Sequence, residues 1–262
     1  MSAAAAAEWG ALATGSLAGA GTALAVGAAA FAGALASALT GAGGGVILSF
    51  ALAPLIGVAA LVQTIGVAMV VSHLARVRVF REAIDRKACA LVLLPALPGC
   101  VLGSLVYVQL DERAIATVLG LFLICVVPLK RSVDRRGTFV APPWALGLGS
   151  FAFGFLSGTT IGGGVLVLPI LGGAGLAGER LVGTDAAVGL AVHLTKMVVF
   201  GTAAVLTAEL ALLGLVVGIC MIPGAYLAKT LIRRMPLRVH AGLIDTVILC
   251  GGIAFLGRAL AA

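Results

Sequence analysis

Two similar glycine-rich stretches occur in the chain: Ala42-Gly43-Gly44-Gly45-Val46 and, 119 residues later, Ile161-Gly162-Gly163-Gly164-Val165. A second match follows, in which Val71-Ser72-His73-Leu74-Ala75-Arg76 aligns at an offset of 120 with Ala191-Val192-His193-Leu194-Thr195-Lys196. Similar segments at a fixed spacing indicate an internal duplication. The chain therefore contains two copies of one unit, and the copies differ by a single-residue insertion or deletion.

The composition is that of a membrane protein. Hydrophobic residues make up 61% of the 262 residues and charged residues 10%, whereas a soluble domain has roughly 45–50% and about 25%. Only helices and closed barrels satisfy their backbone groups in lipid, and the long continuous apolar runs lack the alternation of a barrel strand. The sequence predicts an all-α polytopic membrane protein. The net charge of +7 comes from bases in short loops, so we expect no nucleic-acid partner.

The apolar runs predict two repeats of about five membrane segments each. Residues 1–16 form an N-terminal lead-in, 17–129 the first repeat, 130–142 a basic cytoplasmic linker and 143–262 the second repeat. The predicted segments are Leu17–Leu39, Val46–Ala60, Val62–Val79, Ala88–Gln109 and Ala114–Leu129, followed by Pro143–Thr159, Val165–Ala177, Leu181–Leu206, Leu210–Ala228 and Val239–Leu260. The segments after the glycine triplets are short for a membrane span, which needs about 20 residues.

The distribution of basic residues predicts the topology. Bases cluster around residues 76–87, 130–136 and 229–238, and short loops rich in Lys and Arg face the cytoplasm. All three clusters are cytoplasmic if each repeat crosses the membrane five times. An odd number of crossings makes the repeats inverted, an architecture that supports alternating access to a central site. The alternative is eight full spans with two re-entrant segments.

The glycine triplets predict helix breaks at the membrane midplane. Each glycine disfavours helix by about 1 kcal/mol relative to alanine, and a helix that restarts after a break presents unsatisfied N–H groups with partial positive charge. Two such N-termini at one cavity would bind an anion. The predicted break residues are Gly43, Gly44, Gly45, Gly162, Gly163 and Gly164. The alternative is that these glycines allow close helix packing.

Polar residues at matched positions extend the candidate site. Thr64 and Thr184 supply hydroxyl donors, and the ionisable His193 and Lys196 lie in the middle of a predicted span, where such groups are usually functional. His73 is either a proton carrier or an interfacial histidine. Asp185 is either a proton carrier or the counter-charge of Lys196 or Arg180.

These motifs resemble the sulfite exporter TauE/SafE family of membrane permeases. The resemblance rests on Gly41-Ala42-Gly43-Gly44-Gly45 followed by Thr64, and on Thr160-Ile161-Gly162-Gly163-Gly164 followed by Pro169 and Gly183-Thr184. It covers the chain from about residue 30 to the C-terminus. The resemblance implies transport of sulfite or organosulfonates, often outward, across the bacterial cytoplasmic (inner) membrane.

The residues and the resemblance together predict a secondary transporter of a small anion. We expect no cofactor and no ATP hydrolysis, because there is no Walker A loop, and coupling to a proton or sodium ion instead. Without an HExxH or GxSxG motif an enzyme is disfavoured. The alternative is a cation or metal-ion transporter that uses Asp185, His193 and His73. The oligomeric state is open, and lipid is the surrounding partner.

Overall fold

The computed structural model consists of helices joined by short turns, with no strand among the residues it describes. These are residues 20–40, 44–111, 113–118, 120–122, 124–125, 142–161, 163–176 and 178–232, with the single residues 249, 253, 256 and 257. The helices are α1 (Ala20–Thr40), α2 (Gly44–Val79), α3 (Arg86–Gln109), α4 (Pro143–Thr159), α5 (Gly164–Gly173), α6 (Gly178–Thr202) and α7 (Ala208–Ile232). A 3₁₀ turn, Arg81–Ala83, separates α2 from α3, and the short helix Arg113–Phe122 follows α3. The all-α prediction is confirmed.

Four of the described helices are long and apolar enough to cross a membrane. They are Ala60–Val79, Arg86–Gln109, Gly178–Thr202 and Ala208–Leu227. Large apolar side chains on their outer faces are exposed, among them Leu94 at 81% and Val198 at 64%. Lipid rather than water is the solvent in which such faces are stable. The chain is therefore a multi-pass membrane protein.

Helix α2 folds back on itself. Its residues are helical from Gly44 to Val79, yet a Cβ atom on Gly45 would lie 3.5 Å from both Ile65 and Met69. Positions 45 and 65 of a straight helix are about 30 Å apart. The chain must therefore reverse, and the apolar arms Ile47–Ile56 and Ala60–Val79 lie on either side of the bend.

The second half of the chain makes the same reversal with an open turn. Helix α5 ends at Gly173, and α6 begins at Gly178. Gly175 and Gly178 have φ values of 85° and 56°, in the left-handed region that glycine adopts without strain. The predicted segments Val46–Ala60 and Val62–Val79 thus correspond to one bent helix, whereas Val165–Ala177 and Leu181–Leu206 correspond to two separate helices.

The fourth segment of each half packs on the other half. Helix α3 contacts α4 and α6, while α7 contacts α1 and α2. A Cβ atom on Gly99 of α3 would lie 3.0 Å from the backbone nitrogen of Phe155, and one on Gly224 of α7 would lie 3.0 Å from that of Leu35. Phe155 and Leu35 are related by the offset of 120. Gly99 and Gly224 lie in the matching pairs Pro98-Gly99 and Pro223-Gly224, at an offset of 125. Close approach at corresponding glycines therefore holds both helix pairs together.

Several predicted regions fall outside the described residues. They are the lead-in 1–16, all but one residue of the linker 130–142, most of the segment Val239–Leu260, and the break residues Gly43 and Gly162.

Candidate functional site

Both glycine stretches border one buried cavity. Helices α2 and α5 begin at Gly44 and Gly164, and the cavity lies against both helix starts, enclosed by α2, α4, α5 and α6. A Cβ atom on Gly45 would lie 3.1 Å from Cγ2 of Ile161, which precedes the second triplet. The cavity has a volume of about 50 Å³. This is more than one water needs and suits a small ligand.

The cavity is lined largely by equivalent residues of the two repeats. At the offsets of 119 and 120 the lining contains the pairs Gly44 and Gly163, Gly45 and Gly164, Ile65 and Asp185, Met69 and Gly189, and His73 and His193. The two histidine rings face each other with their centroids 5.2 Å apart. The cavity therefore lies where equivalent parts of the duplication meet. The pairs Ile65 with Asp185 and Met69 with Gly189 make its two sides chemically different.

Lys196 is the buried cation of the cavity wall, with 1% of its side chain exposed. Its Nζ donates to the carbonyl oxygens of Ser157 at 2.8 Å and Thr160 at 3.0 Å. These carbonyls are at the end of α4, where the last helical carbonyls lack partners within the helix. An ammonium has three donor hydrogens, so one is left after these two bonds. The end of α4 fixes Lys196 beside the cavity.

The two histidines differ in their hydrogen bonds. His73 Nδ1 donates to the carbonyl oxygen of Met69 at 2.7 Å, which leaves Nε2 as the acceptor nitrogen in the neutral ring. His193 Nδ1 is buried and has no hydrogen-bond partner within the described residues. A buried polar atom of this kind is poorly satisfied until a ligand or water reaches it. The ring proton of neutral His73 is thus engaged by Met69, whereas His193 Nδ1 has no described partner and can donate to an anionic ligand.

Ser157 is a cavity residue that sequence reasoning missed. Its hydroxyl is buried and unpartnered in the described part of the chain, and it borders the cavity with Lys196 and His193. Its equivalent at the offset of 120 is Ser37. Both serines precede a glycine stretch, so they can be found by comparing the residues upstream of the two stretches. The three polar groups, an ammonium, an imidazole and a hydroxyl, are all potential donors.

Asp185 pairs with a residue other than the expected ones. Its Oδ2 accepts a hydrogen bond from Arg76 Nη2 at 2.6 Å, with the two side chains 2% and 1% exposed. The predicted counter-charge role toward Lys196 or Arg180 is therefore wrong in this structure, since Lys196 bonds to carbonyls and Arg180 pairs with Asp85 at 2.5 Å. The sequence could not rank these partners, because Arg76 lies 109 residues away.

Thr64 and Thr184 lie outside the cavity lining. Thr184 Oγ1 accepts a hydrogen bond from the backbone N–H of Asp85 at 3.0 Å. Asp85 also caps α3 by accepting from the N–H groups of Lys87 and Ala88. The Ala88 bond, together with Arg180, lowers the pKa of the Asp85 carboxyl. Thr64 Oγ1 is buried and unpartnered among the described residues.

The described residues do not provide a ready metal site. In this part of the chain no three side chains of His, Cys, Asp or Glu are grouped closely enough to hold a metal ion. His73, His193 and Asp185 border the same cavity, but Asp185 is engaged by Arg76. Lys196 and Asp185 border the cavity, and Arg76 neutralises the Asp185 carboxylate from outside the lining. The buried charges at the cavity thus sum to a net positive charge, which favours an anion.

The fold and the cavity define a multi-pass α-helical membrane protein with a small buried polar cavity between its helices. The family model described as "Sulfite exporter TauE/SafE" matches residues 24–255, most of the chain. The chain belongs to this family, a family of transporters, which implies a membrane exporter of sulfite or a related sulfur-containing anion. Comparisons with curated proteins and with solved structures gave no significant match.

Proposed function

We propose that the protein is a secondary transporter that exports a small sulfur-containing oxyanion, such as sulfite or an organosulfonate, across the bacterial cytoplasmic membrane. The observation that carries the proposal is the convergence of the two glycine stretches, through Gly44, Gly45, Gly163 and Gly164, on the cavity that Lys196 borders. Helix N-termini and a buried ammonium both stabilise negative charge.

The donor groups suit an oxyanion. Lys196 would supply charge, while Ser157 Oγ and the ring of His193 would supply directional hydrogen bonds. Charge-assisted hydrogen bonds are stronger than neutral ones. A substrate oxyanion would also satisfy the two buried atoms that lack partners. We expected Thr64 and Thr184 to donate hydrogen bonds to the substrate as well. In this conformation they lie outside the cavity lining and would not contact the substrate directly.

The pairing of equivalent residues supports alternating access by inverted repeats. The five-crossing count makes the repeats inverted, and the exchange of helix partners between halves agrees with a pseudo-two-fold axis through the cavity. Exchange of conformation between the repeats would expose the cavity first to one side of the membrane and then to the other. The glycine breaks would lie at the midplane, and a proton or sodium gradient or the membrane potential would supply the energy.

A flux assay in proteoliposomes tests this function. Purified wild-type protein is expected to accelerate the movement of ³⁵S-labelled sulfite or an organosulfonate, and unlabelled sulfite in excess should compete. Lys196→Met keeps the length and apolar packing of the side chain but removes its charge. We expect it to lower the initial rate roughly tenfold or more, since a hydrogen bond to a charged group contributes about 1.5–3 kcal/mol.

The matched control is Lys87→Met. Lys87 is exposed on the first turn of α3, so the same loss of charge should leave the rate unchanged. Absence of any anion flux by the wild-type protein, or equal rates for Lys196→Met and wild type, would count against the proposal. Saturable transition-metal binding in isothermal titration, abolished by His193→Ala, would favour the metal-ion alternative based on Asp185, His193 and His73 instead.

A further inference from the structure

Arg76 occupies the position in the first repeat that Lys196 occupies in the second. The two residues are 120 positions apart, and each lies three residues after a cavity histidine, His73 or His193. Residues three apart on a helix share a face. Each repeat therefore has one buried cation close to the cavity. Lys196 borders the cavity in this conformation, and Arg76 lies outside its lining.

The guanidinium of Arg76 has unused donors. It is 1% exposed, and Nη2 bonds to Asp185, while Nε and Nη1 are buried with no hydrogen-bond partner in the described residues. A buried donor without a partner is costly, and a guanidinium fork matches the geometry of an oxyanion. A ligand that offers several oxygens would satisfy Arg76 better than the single bond to Asp185 does.

Asp185 links this arginine to the cavity. Its carboxylate borders the cavity and lies at the position equivalent to Ile65. Of this pair of equivalent cavity residues, the second repeat therefore supplies a carboxylate and the first an apolar side chain. That carboxylate neutralises Arg76 in the present conformation and leaves Lys196 as the cation available to a ligand. Displacement of Asp185 from Arg76 would create a second cationic position.

We propose that Arg76 is a second anion-binding residue, at which the transported oxyanion takes the place of the Asp185 carboxylate when the repeats exchange conformation. The inference rests on the proposed anion transport and specifies its second half-site. The anion would bind at Lys196 in one state and at Arg76 in the other. The contact between Arg76 and Asp185 would then be broken in every cycle, rather than being a permanent structural link.

The test compares single and double variants in the same flux assay. Arg76→Gln removes the proposed donor but leaves the Asp185 charge buried, so loss of flux alone would not separate binding from folding. The double variant Arg76→Gln with Asp185→Asn keeps a neutral, hydrogen-bonding pair. We expect it to be folded, with a melting temperature near that of the wild type in detergent, yet to transport sulfite roughly tenfold or more slowly.

Asp185→Asn and Arg78→Gln complete the set. Asp185→Asn removes the competing charge, so the sulfite concentration at half-maximal rate should fall. Arg78 is exposed on the same helix, and its change to Gln should leave flux as it is. Wild-type flux in the double variant would overturn the role of Arg76 and leave the anion transporter standing. Absence of flux in the wild-type protein would overturn both.

Discussion

At the scale of the residue, the site depends on contacts between groups that are far apart in sequence. Lys196 reaches the carbonyls of Ser157 and Thr160, and His73 meets His193 across the cavity. The histidines and the lysine could be predicted as site residues, because an ionisable group inside a membrane span is costly and is usually functional. Ser157 gives a weaker signal despite its match in the first repeat, since a serine in an apolar helix commonly bonds to its own backbone.

Gly163 is required by the space around Ser157. A Cβ atom at position 163 would overlap the hydroxyl of Ser157 and lie 2.9 Å from its Cα. Gly163→Ala should therefore displace the end of α4 and the carbonyls that hold Lys196, and sulfite flux should fall severalfold or more. The backbone at this position is right-handed, with φ −52°, so the expected loss comes from the overlap and not from backbone strain.

Gly172→Ala, at the other end of α5, provides the control. A Cβ atom there would meet nothing within 4 Å, and we expect flux and melting temperature like those of the wild type. Equal flux in Gly163→Ala and Gly172→Ala would show that the second glycine stretch is not needed for the geometry of the cavity.

At the scale of the element, small residues determine which helices meet. Helices α3 and α4 approach closely because Gly103, Gly154 and Gly158 lie at their crossing. The helices themselves follow from the apolar runs, and α4 has the bounds predicted, Pro143–Thr159. The bend of α2 is harder to predict from sequence. Pro54 and Gly57 weaken the helix there, but a continuous helical assignment hides the reversal.

Gly154→Ala tests this crossing. The added methyl group would overlap the carbonyl of Ala96 and lie 2.8 Å from its Cα, both backbone atoms that cannot rotate away. Overpacking of this kind destabilises by about 1–3 kcal/mol, so the melting temperature in detergent should fall. The control Gly147→Ala, on the same helix with nothing within 4 Å, should be neutral or slightly stabilising. Equal melting temperatures would contradict the close approach of α3 and α4.

At the scale of the whole molecule, the duplication builds one cavity from two halves. The fourth segment of each half packs against helices of the other half: α3 contacts α4 and α6, and α7 contacts α1 and α2. Counting basic residues predicts the order of loops across the membrane, but it contains no information on which helices are neighbours. The duplication was visible in the sequence; the exchange of partners follows from close packing at Gly99 and Gly224 and needed the structure.

The two repeats have similar folds, but they place different side chains at equivalent positions of the cavity. Asp185 replaces Ile65, and Gly189 replaces Met69, so the second repeat carries the carboxylate and gives room to the ring of His73. A cavity of this kind has equivalent walls but different chemistry on its two sides. We expect the two states of the transport cycle to bind the anion with different affinity, because an anion shifts the equilibrium toward the state that it binds better. The direction of net transport is set by the gradients of the anion and of any coupled ion and by the membrane potential.

The location of a bound oxyanion in a crystal tests whether the cavity is an anion site. Selenite has the shape and charge type of sulfite, and its selenium atom gives an anomalous X-ray signal that marks its position in a crystal. We predict a selenium peak in the cavity between Gly44–Gly45 and Gly163–Gly164, within reach of Lys196 Nζ, and its loss in Lys196→Met. Selenite bound away from both Lys196 and Arg76, or a vacant cavity at selenite concentrations that inhibit sulfite flux, would contradict an anion site at this cavity.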